Sequence, residues 1–284
     1  MKQYRLLGLL AGTLLAVSSA NAQIHYQHIR NATAKIQIGD STFLVDPYLA
    51  PKGTYPGFEG TVHSERRNPL VDMTVSTKEL LKDVDAVIVT HTHADHWDEV
   101  AQKQVPKNLP IFVQNAGDAV IIRSQGFKDV RVMGRNTEFN HIKLTKVAGQ
   151  HGTDAMYAVP QLAELAGDAM GVVFQAPGEK TLYLMGDTIW TYQIDHALTT
   201  YQPDVVVMNT GYAELTGFDG SIIMGTEDVA KAYKTMPTAK FVTVHMDAVN
   251  HCVVTSDDMR QFVKQNKLGD RVFVPKEGEE LKFD

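Results

Sequence analysis

Short apolar runs recur along this chain, and each is followed by a polar stretch or by a segment with helical spacing. Residues 34–38 alternate with period two, Gly39 and Asp40 follow, and 42–45 are apolar again. This predicts a β-hairpin that stops at Asp46 and Pro47. Ser76 and Glu79 have capping-box spacing and predict a short helix through Lys82. The run 86–89 reads as a buried strand, 98–104 and 115–125 as helices (the second stopped by Gly126), and 111–113, 130–132 and 142–147 as strands. Runs 171–176 and 181–185 flank Pro177 and Gly178, which predicts a second hairpin. Further on, 189–198 reads as a helix, 204–208 as a strand, and 226–235 as a helix capped by Thr226. Residues 241–244 form a strand ending at His245. Thr255 caps a last helix through about Asn266, and short strands at 272–274 and 281–283 close the chain. Strand-rich blocks alternate with single helices in both halves, so the fold class is α/β, one domain with sheets packed between helices.

Composition adds three limits. The first 22 residues read as a cleaved signal peptide: Lys2 and Arg5 precede an apolar stretch too short to span a bilayer comfortably, and Ala20 and Ala22 supply the small-residue cleavage pattern. The mature domain is then 23–284, exported to the periplasm or secreted, with no membrane attachment after cleavage. The formal net charge is −6, and loss of Lys2 and Arg5 would take it to −8, which disfavours a nucleic-acid partner. Cys252 is the single cysteine, so no intramolecular disulfide exists, and a small buried apolar role suits it.

The chemistry concentrates at 90–96, Thr-His-Thr-His-Ala-Asp-His, directly after the apolar run 86–89. His91, His93, Asp95 and His96 are ligand types suited to zinc and related first-row metals. His151, Asp187 and His245 each follow another apolar strand-like run. A carboxylate has two oxygens and can bridge two ions, a role that suits Asp187. The segment 51–69, rich in Gly and Pro, reads as a long loop in which His63, Arg66 and Arg67 can touch a substrate. Asn209 and Gly211 can supply donors near a developing oxyanion, and His251 is a substrate-contacting acid, a group that supports the ligands from behind, or an ordinary loop histidine.

His-x-His-x-Asp-His after a hydrophobic strand resembles the signature of the metallo-β-lactamase superfamily, and Gly-Gln-His151-Gly, Met-Gly-Asp187-Thr and the strand-terminal His245 follow in that family's order. The entry through Asp46 and Pro47, the approach to His91 and the Asp98 after Trp97 look most like the branch of ascorbate-phosphate lactonase-like and N-acyl phospholipase D-like hydrolases. The resemblance implies an αββα sandwich of two mixed sheets flanked by helices. It implies that His91, His93 and His151 bind one divalent ion, that Asp95, His96 and His245 bind another, and that Asp187 bridges them. Zinc is the first expectation, with manganese and iron as alternatives. A bridging water would be the nucleophile, with Asp95 and Asp187 as the catalytic carboxylates. β-Lactamases of the family commonly carry Cys where Asp187 stands, so β-lactam hydrolysis is not expected. The expected function is hydrolysis of an ester, lactone, amide or phosphodiester bond in a small molecule. A di-iron oxidoreductase on the same ligands, or a metal-binding protein without activity, are the competing readings. The oligomeric state is not legible.

Overall fold

The computed structural model describes residues 23–284; the expected signal peptide lies outside the described residues. Two seven-stranded sheets face each other. The first holds β1 (Ile24–Arg30), β2 (Thr33–Ile38), β3 (Ser41–Val45), β4 (Ala86–Val89), β5 (Ile111–Val113), β6 (Val130–Val132) and the last strand of the chain, β14 (Glu280–Phe283). The second holds β7 (Thr137–Phe139), β8 (Ile142–Gly149), β9 (Ala169–Gln175), β10 (Leu182–Leu184), β11 (Val205–Asn209), β12 (Lys240–Val244) and β13 (Val272–Phe273). The helices are α1 (Thr77–Leu80), α2 (Glu99–Gln104), α3 (Ala116–Ser124), α4 (Asp154–Tyr157), α5 (Pro160–Ala166), α6 (Tyr192–Tyr201), α7 (Thr226–Thr235) and α8 (Ser256–Gln265).

The strand orders are β14-β1-β2-β3-β4-β5-β6 and β13-β12-β11-β10-β9-β8-β7. Each sheet is antiparallel in one half and parallel in the other. Between the sheets lies a core of inward side chains that includes Phe43, Phe112, Phe174 and Val242. Phe43 meets Phe174 edge-on, with ring centroids 5.4 Å apart, a pairing that adds about 0.5–1.5 kcal/mol beyond burial. A second core packs α6, α7 and α8 on one outer face, and a third packs α2 and α3 on the other. The order of layers is therefore helix, sheet, sheet, helix, as the resemblance implied.

Capping follows the sequence closely. Ser76, Asp98, Asn115 and Thr255 each accept a hydrogen bond from the backbone N–H three residues on. Thr226 is not a cap. Gly225 takes that place, and its N–H donates to the Asp228 carboxylate at 2.9 Å. The helix expected at 189–198 begins later, at Tyr192. Four elements were not expected: β1, β7, α4 and α5. β1 alternates only over its first four residues before an irregularity between His28 and Arg30 breaks the period; pairing to β2 and β14 on its two sides makes it a strand. α5 has no buried residue and so leaves no apolar stripe to read.

This topology brings one set of chain segments to one edge. The C-terminal ends of β3 and β4 lie together because those strands are parallel, and so do the ends of β10, β11 and β12. β8 is two antiparallel steps from β10, so its end joins them. The turn between β1 and β2 reaches the same edge, since β2 runs antiparallel to β3.

Candidate metal centre

All seven residues expected from the sequence meet at this edge. His91, His93, Asp95 and His96 follow β4, His151 follows β8, Asp187 follows β10 and His245 follows β12. They fall into two groups that can each hold an ion: His91 with His93 and His151, and Asp95 with His96, Asp187 and His245, the ligand atoms of each lying within 4.8 Å of one another. One atom joins the groups. Asp187 Oδ2 lies 3.1 Å from His96 Nε2 and 3.4 Å from His245 Nε2, and 3.7 Å from His151 Nε2 and 4.0 Å from His91 Nε2. Its other oxygen, Oδ1, accepts a 2.6 Å hydrogen bond from Asn209 Nδ2. Asn209 thus orients the shared carboxylate with one of its two N–H donors. Gly211 also has a packing role: a Cβ there would sit 2.1 Å from the His245 carbonyl and 2.5 Å from Cys252 Sγ.

The tautomers follow from the partners. His151 Nδ1 sits 2.9 Å from the Ile222 carbonyl and His93 Nε2 2.8 Å from the Leu165 carbonyl. A carbonyl only accepts, so those nitrogens carry the proton and the opposite nitrogens hold lone pairs. His96 Nδ1 donates to Asp46 Oδ2 at 2.9 Å. Thr90 Oγ1 donates to the same Oδ2 at 2.7 Å, which leaves its lone pairs to accept from His91 Nδ1 at 3.1 Å. Thr90 N–H donates to Asp46 Oδ1 at 2.7 Å. Asp46 therefore fixes one imidazole of each group, directly in His96 and through Thr90 in His91. Such outer carboxylates set ring orientation and raise ligand basicity.

Asp46 was legible as the end of a hairpin and, with Pro47, as part of the resemblance to one branch of the family, but not as the partner of two imidazoles. Asn31, in the turn after β1, carried none. Its side-chain amide donates to the Asp95 carbonyl at 3.1 Å and to Asp95 Oδ2 at 3.3 Å. Cys252 is not a ligand: its Sγ lies 3.5 Å from His245 Nδ1 and 3.4 Å from the His245 carbonyl. Asn31, Asp46 and His245 all hold left-handed backbone, with φ of 55°, 43° and 62°.

The electrostatics match a cation. Burial favours neutral imidazole in His91, driving its pKa well down, and in His151, pushed down to about 4. In His96 burial works against the charge, but Asp187, Asp95 and Asp46 outweigh it and raise the pKa to about 10. In His245 burial is likewise overcome, by Asp187 and Asp95, and its pKa rises well above the ordinary value. Burial would raise Asp187 and Asp95; the neighbouring imidazoles reverse this and hold both well below the carboxylate range. The protein has thus placed more buried negative charge here than neutral imidazole can balance. His91 Nε2, meanwhile, is buried with no hydrogen-bond partner. Orphaned imidazole nitrogen beside buried carboxylate is what zinc and related ions take up, so the residues fit such ions.

A cavity of about 700 Å³ opens onto both groups through His93, Asp95, His151 and Asp187. Phe58, Met156, Leu162, Leu165, Leu215 and Ile222 give it apolar walls. The loop 51–69 contributes through residues 58–61. His63, Arg66 and Arg67 are exposed and do not line the cavity, and Arg67 donates to the Gly53 and Thr54 carbonyls. Asp98 binds the Leu49 and Ala50 amides and caps α2, away from the ligands.

Layers, strand ends and ligand set together define a metallo-hydrolase architecture, and comparison with known proteins agrees. The beta-lactamase superfamily domain matches residues 41–246. The chain is 42% identical over 255 residues to UPF0173 protein YddR of Bacillus subtilis (strain 168), across 90% of this chain and 98% of that one. It is 28% identical to a UPF0173 metal-dependent hydrolase of Pyrococcus abyssi (strain GE5 / Orsay), across 86% and 93%. The structure of a possible metal-dependent hydrolase from Veillonella parvula DSM 2008 is 53% identical, with a TM-score of 0.90 over 92% of this chain and 99% of that one. An isothiocyanate hydrolase from Delia radicum gut bacteria is 43% identical, with a TM-score of 0.88 over 91% and 99%. The chain belongs to the metallo-β-lactamase superfamily, among the UPF0173 metal-dependent hydrolases.

Proposed function

We propose that this protein is a dinuclear, zinc-loaded hydrolase of small apolar electrophiles, and that isothiocyanates are its substrate class. The observation that carries the reading is Asp187 Oδ2, which faces imidazoles of both ligand groups at the end of an apolar cavity. The substrate class is supported by the 43% identical isothiocyanate hydrolase. An isothiocyanate has an electrophilic central carbon and an uncharged tail, and its tail suits walls built from Phe58, Leu162, Leu165 and Ile222.

His91, His93 and His151 would hold one ion; Asp95, His96 and His245 the other, with Asp187 shared. Two such ions supply a water of lowered pKa and polarise the bond under attack. The chain's own residues do the rest. Asn209 and Asp46 keep Asp187, His96 and His91 aimed. Asp95, with Oδ2 3.2 Å from His245 Nε2 and its outer contact to Asn31, is placed to manage protons beside the reacting water. The apolar walls exclude bulk water.

The test is turnover of phenethyl isothiocyanate by zinc-reconstituted protein, followed as loss of the N=C=S absorbance and release of carbonyl sulfide, with metal analysis alongside. Turnover with two ions per chain supports the reading. Turnover of esters or lactones alone would remove the substrate class and keep the hydrolase. We also propose that the chain is exported and begins at Gln23 after cleavage; mass analysis of protein from a secreting host decides it.

A further inference from the structure

The cavity is lined by one more imidazole, which belongs to neither ligand group. His251 is 6% exposed, and its Nδ1 has no hydrogen-bond partner among the described residues. Phe58, also lining the cavity, meets the His251 ring edge-on at 5.1 Å and 85°. The neighbouring side chain, Asn250, ties these two walls into one unit. Its Oδ1 accepts from Phe58 N–H at 2.9 Å and from Asn68 Nδ2 at 2.8 Å, and its Nδ2 donates to Thr61 Oγ1 and to the Val62 carbonyl at 2.8 Å each. The Asn250 N–H donates to Asn68 Oδ1 at 2.9 Å, and the His251 carbonyl accepts from Glu214 N–H at 3.0 Å. The ring is thus fixed in the cavity wall with its Nδ1 unpaired and closed to solvent, so a ligand meets it by the part that lines the cavity.

We infer that His251 touches the substrate and delivers a proton to the heteroatom that takes up the electron pair as water adds. The inference rests on the hydrolytic reading above. Burial pushes the His251 pKa down to about 4, so at neutral pH the ring is uncharged, with one N–H to give and one lone pair to receive. For an isothiocyanate, the water oxygen bonds to the central carbon while the C=N π pair moves to nitrogen. That nitrogen takes the imidazole proton, and the proton lost by the water returns to the ring. The resulting thiocarbamic acid passes its remaining acidic proton to nitrogen, the C–N bond breaks, and a primary amine and carbonyl sulfide leave. The sum is R–N=C=S plus H2O giving R–NH2 plus COS, with no oxidant or reductant.

The experiment compares wild type, His251→Ala and His251→Gln, all zinc-loaded, on phenethyl isothiocyanate and on 4-nitrophenyl isothiocyanate. Proton delivery matters most where the leaving amine is basic. Kcat on the phenethyl compound should fall about 10²-fold in both variants, as loss of a general acid requires, and far less on the nitrophenyl compound. Ion content and Tm should match wild type. An equal fall on both compounds, or loss of ions, would overturn the assignment in favour of a structural role. A second readout needs no turnover. Adding phenylthiourea to zinc-loaded, ring-15N-histidine protein should shift one ring signal that is missing from His251→Gln; an unmoved signal overturns the assignment. If wild type turns over no isothiocyanate, the substrate class falls alone and the 15N shift decides His251.

Discussion

Asp95, His96, Asp187 and His245 are all buried and include two carboxylates; His91, His93 and His151 include none, and His93 is only half-buried. Their support differs in the same sense. The first four are held by Asn31, Asp46 and Asn209, at the ends or turns of strands in both sheets, and by Cys252 in the loop after β12. His93 and His151 lean on the Leu165 and Ile222 carbonyls, one on α5, which buries no residue, and one in a loop. One group is therefore built into the sheets and carries the charge that draws a cation, while the other is completed by peripheral segments and shares Asp187. The first should fill before the second and empty after it. Metal analysis during graded chelation should show a step near one ion per chain, and a single concerted loss would contradict this ordering.

The largest effect is expected where the comparison collapses. Asp187→Ala removes the atom common to both groups, so both ions should be lost together. Kcat/KM should fall by about 10³-fold or more, equivalent to about 4 kcal/mol of transition-state stabilisation. A variant that keeps both ions and most of its activity would mean Asp187 is not shared.

Asp46→Asn comes next. It keeps the shape but removes the charge that His96 and Thr90 donate to, and through Thr90 the partner of His91. Outer partners of metal-binding histidines are worth about 10–100-fold in affinity or activity. Because Asp46 serves both groups, affinity for both ions should fall in titrations with a competing chelator. A loss confined to one ion would show that the Thr90 link is idle.

These two cases also show what was legible in the sequence. The seven expected residues were readable because they lie on four loops that each follow an apolar run, and because their order along the chain resembles that of the superfamily. β4 was readable to the residue because all four of its side chains are buried. Asp46, Asn31 and Asn209 act through hydrogen bonds across 50, 64 and 22 residues of chain, to His96, Asp95 and Asp187 in turn. No local spacing encodes such contacts. The antiparallel strand β1 hides polar residues that only pairing explains, and α5 has no buried side to print a period. His63, Arg66 and Arg67 looked like substrate contacts by residue type, yet the loop offers the cavity its apolar part, at Phe58.

A smaller effect separates ion-free from ion-loaded protein by pH. The folded His96 pKa, about 10 against an ordinary 6.5, means that protonation stabilises the ion-free fold. That contribution is complete below pH 6.5 and is lost as pH rises through about 10. In loaded protein the cation stands where the proton did. The Tm of chelated protein should therefore drop between pH 6.5 and 10 while that of zinc-loaded protein changes less, and parallel curves would show that the carboxylates do not hold His96 charged.

The smallest effect probes the loosely held side. The Leu165 side chain lines the cavity but the residue is 65% exposed, while its carbonyl accepts a hydrogen bond from His93 Nε2–H. Leu165→Ser removes only the side chain. About a third of a leucine's burial, roughly 1 kcal/mol or less, amounts to a KM rise of about fivefold at most. Kcat and ion content should stay unchanged, because the carbonyl remains to set the His93 tautomer. If kcat and the second ion fall instead, α5 holds His93 through its packing as well as its backbone. The weaker ligand group would then depend on the position of that helix, and the contrast between the groups would become a contrast between the sheets and one short helix.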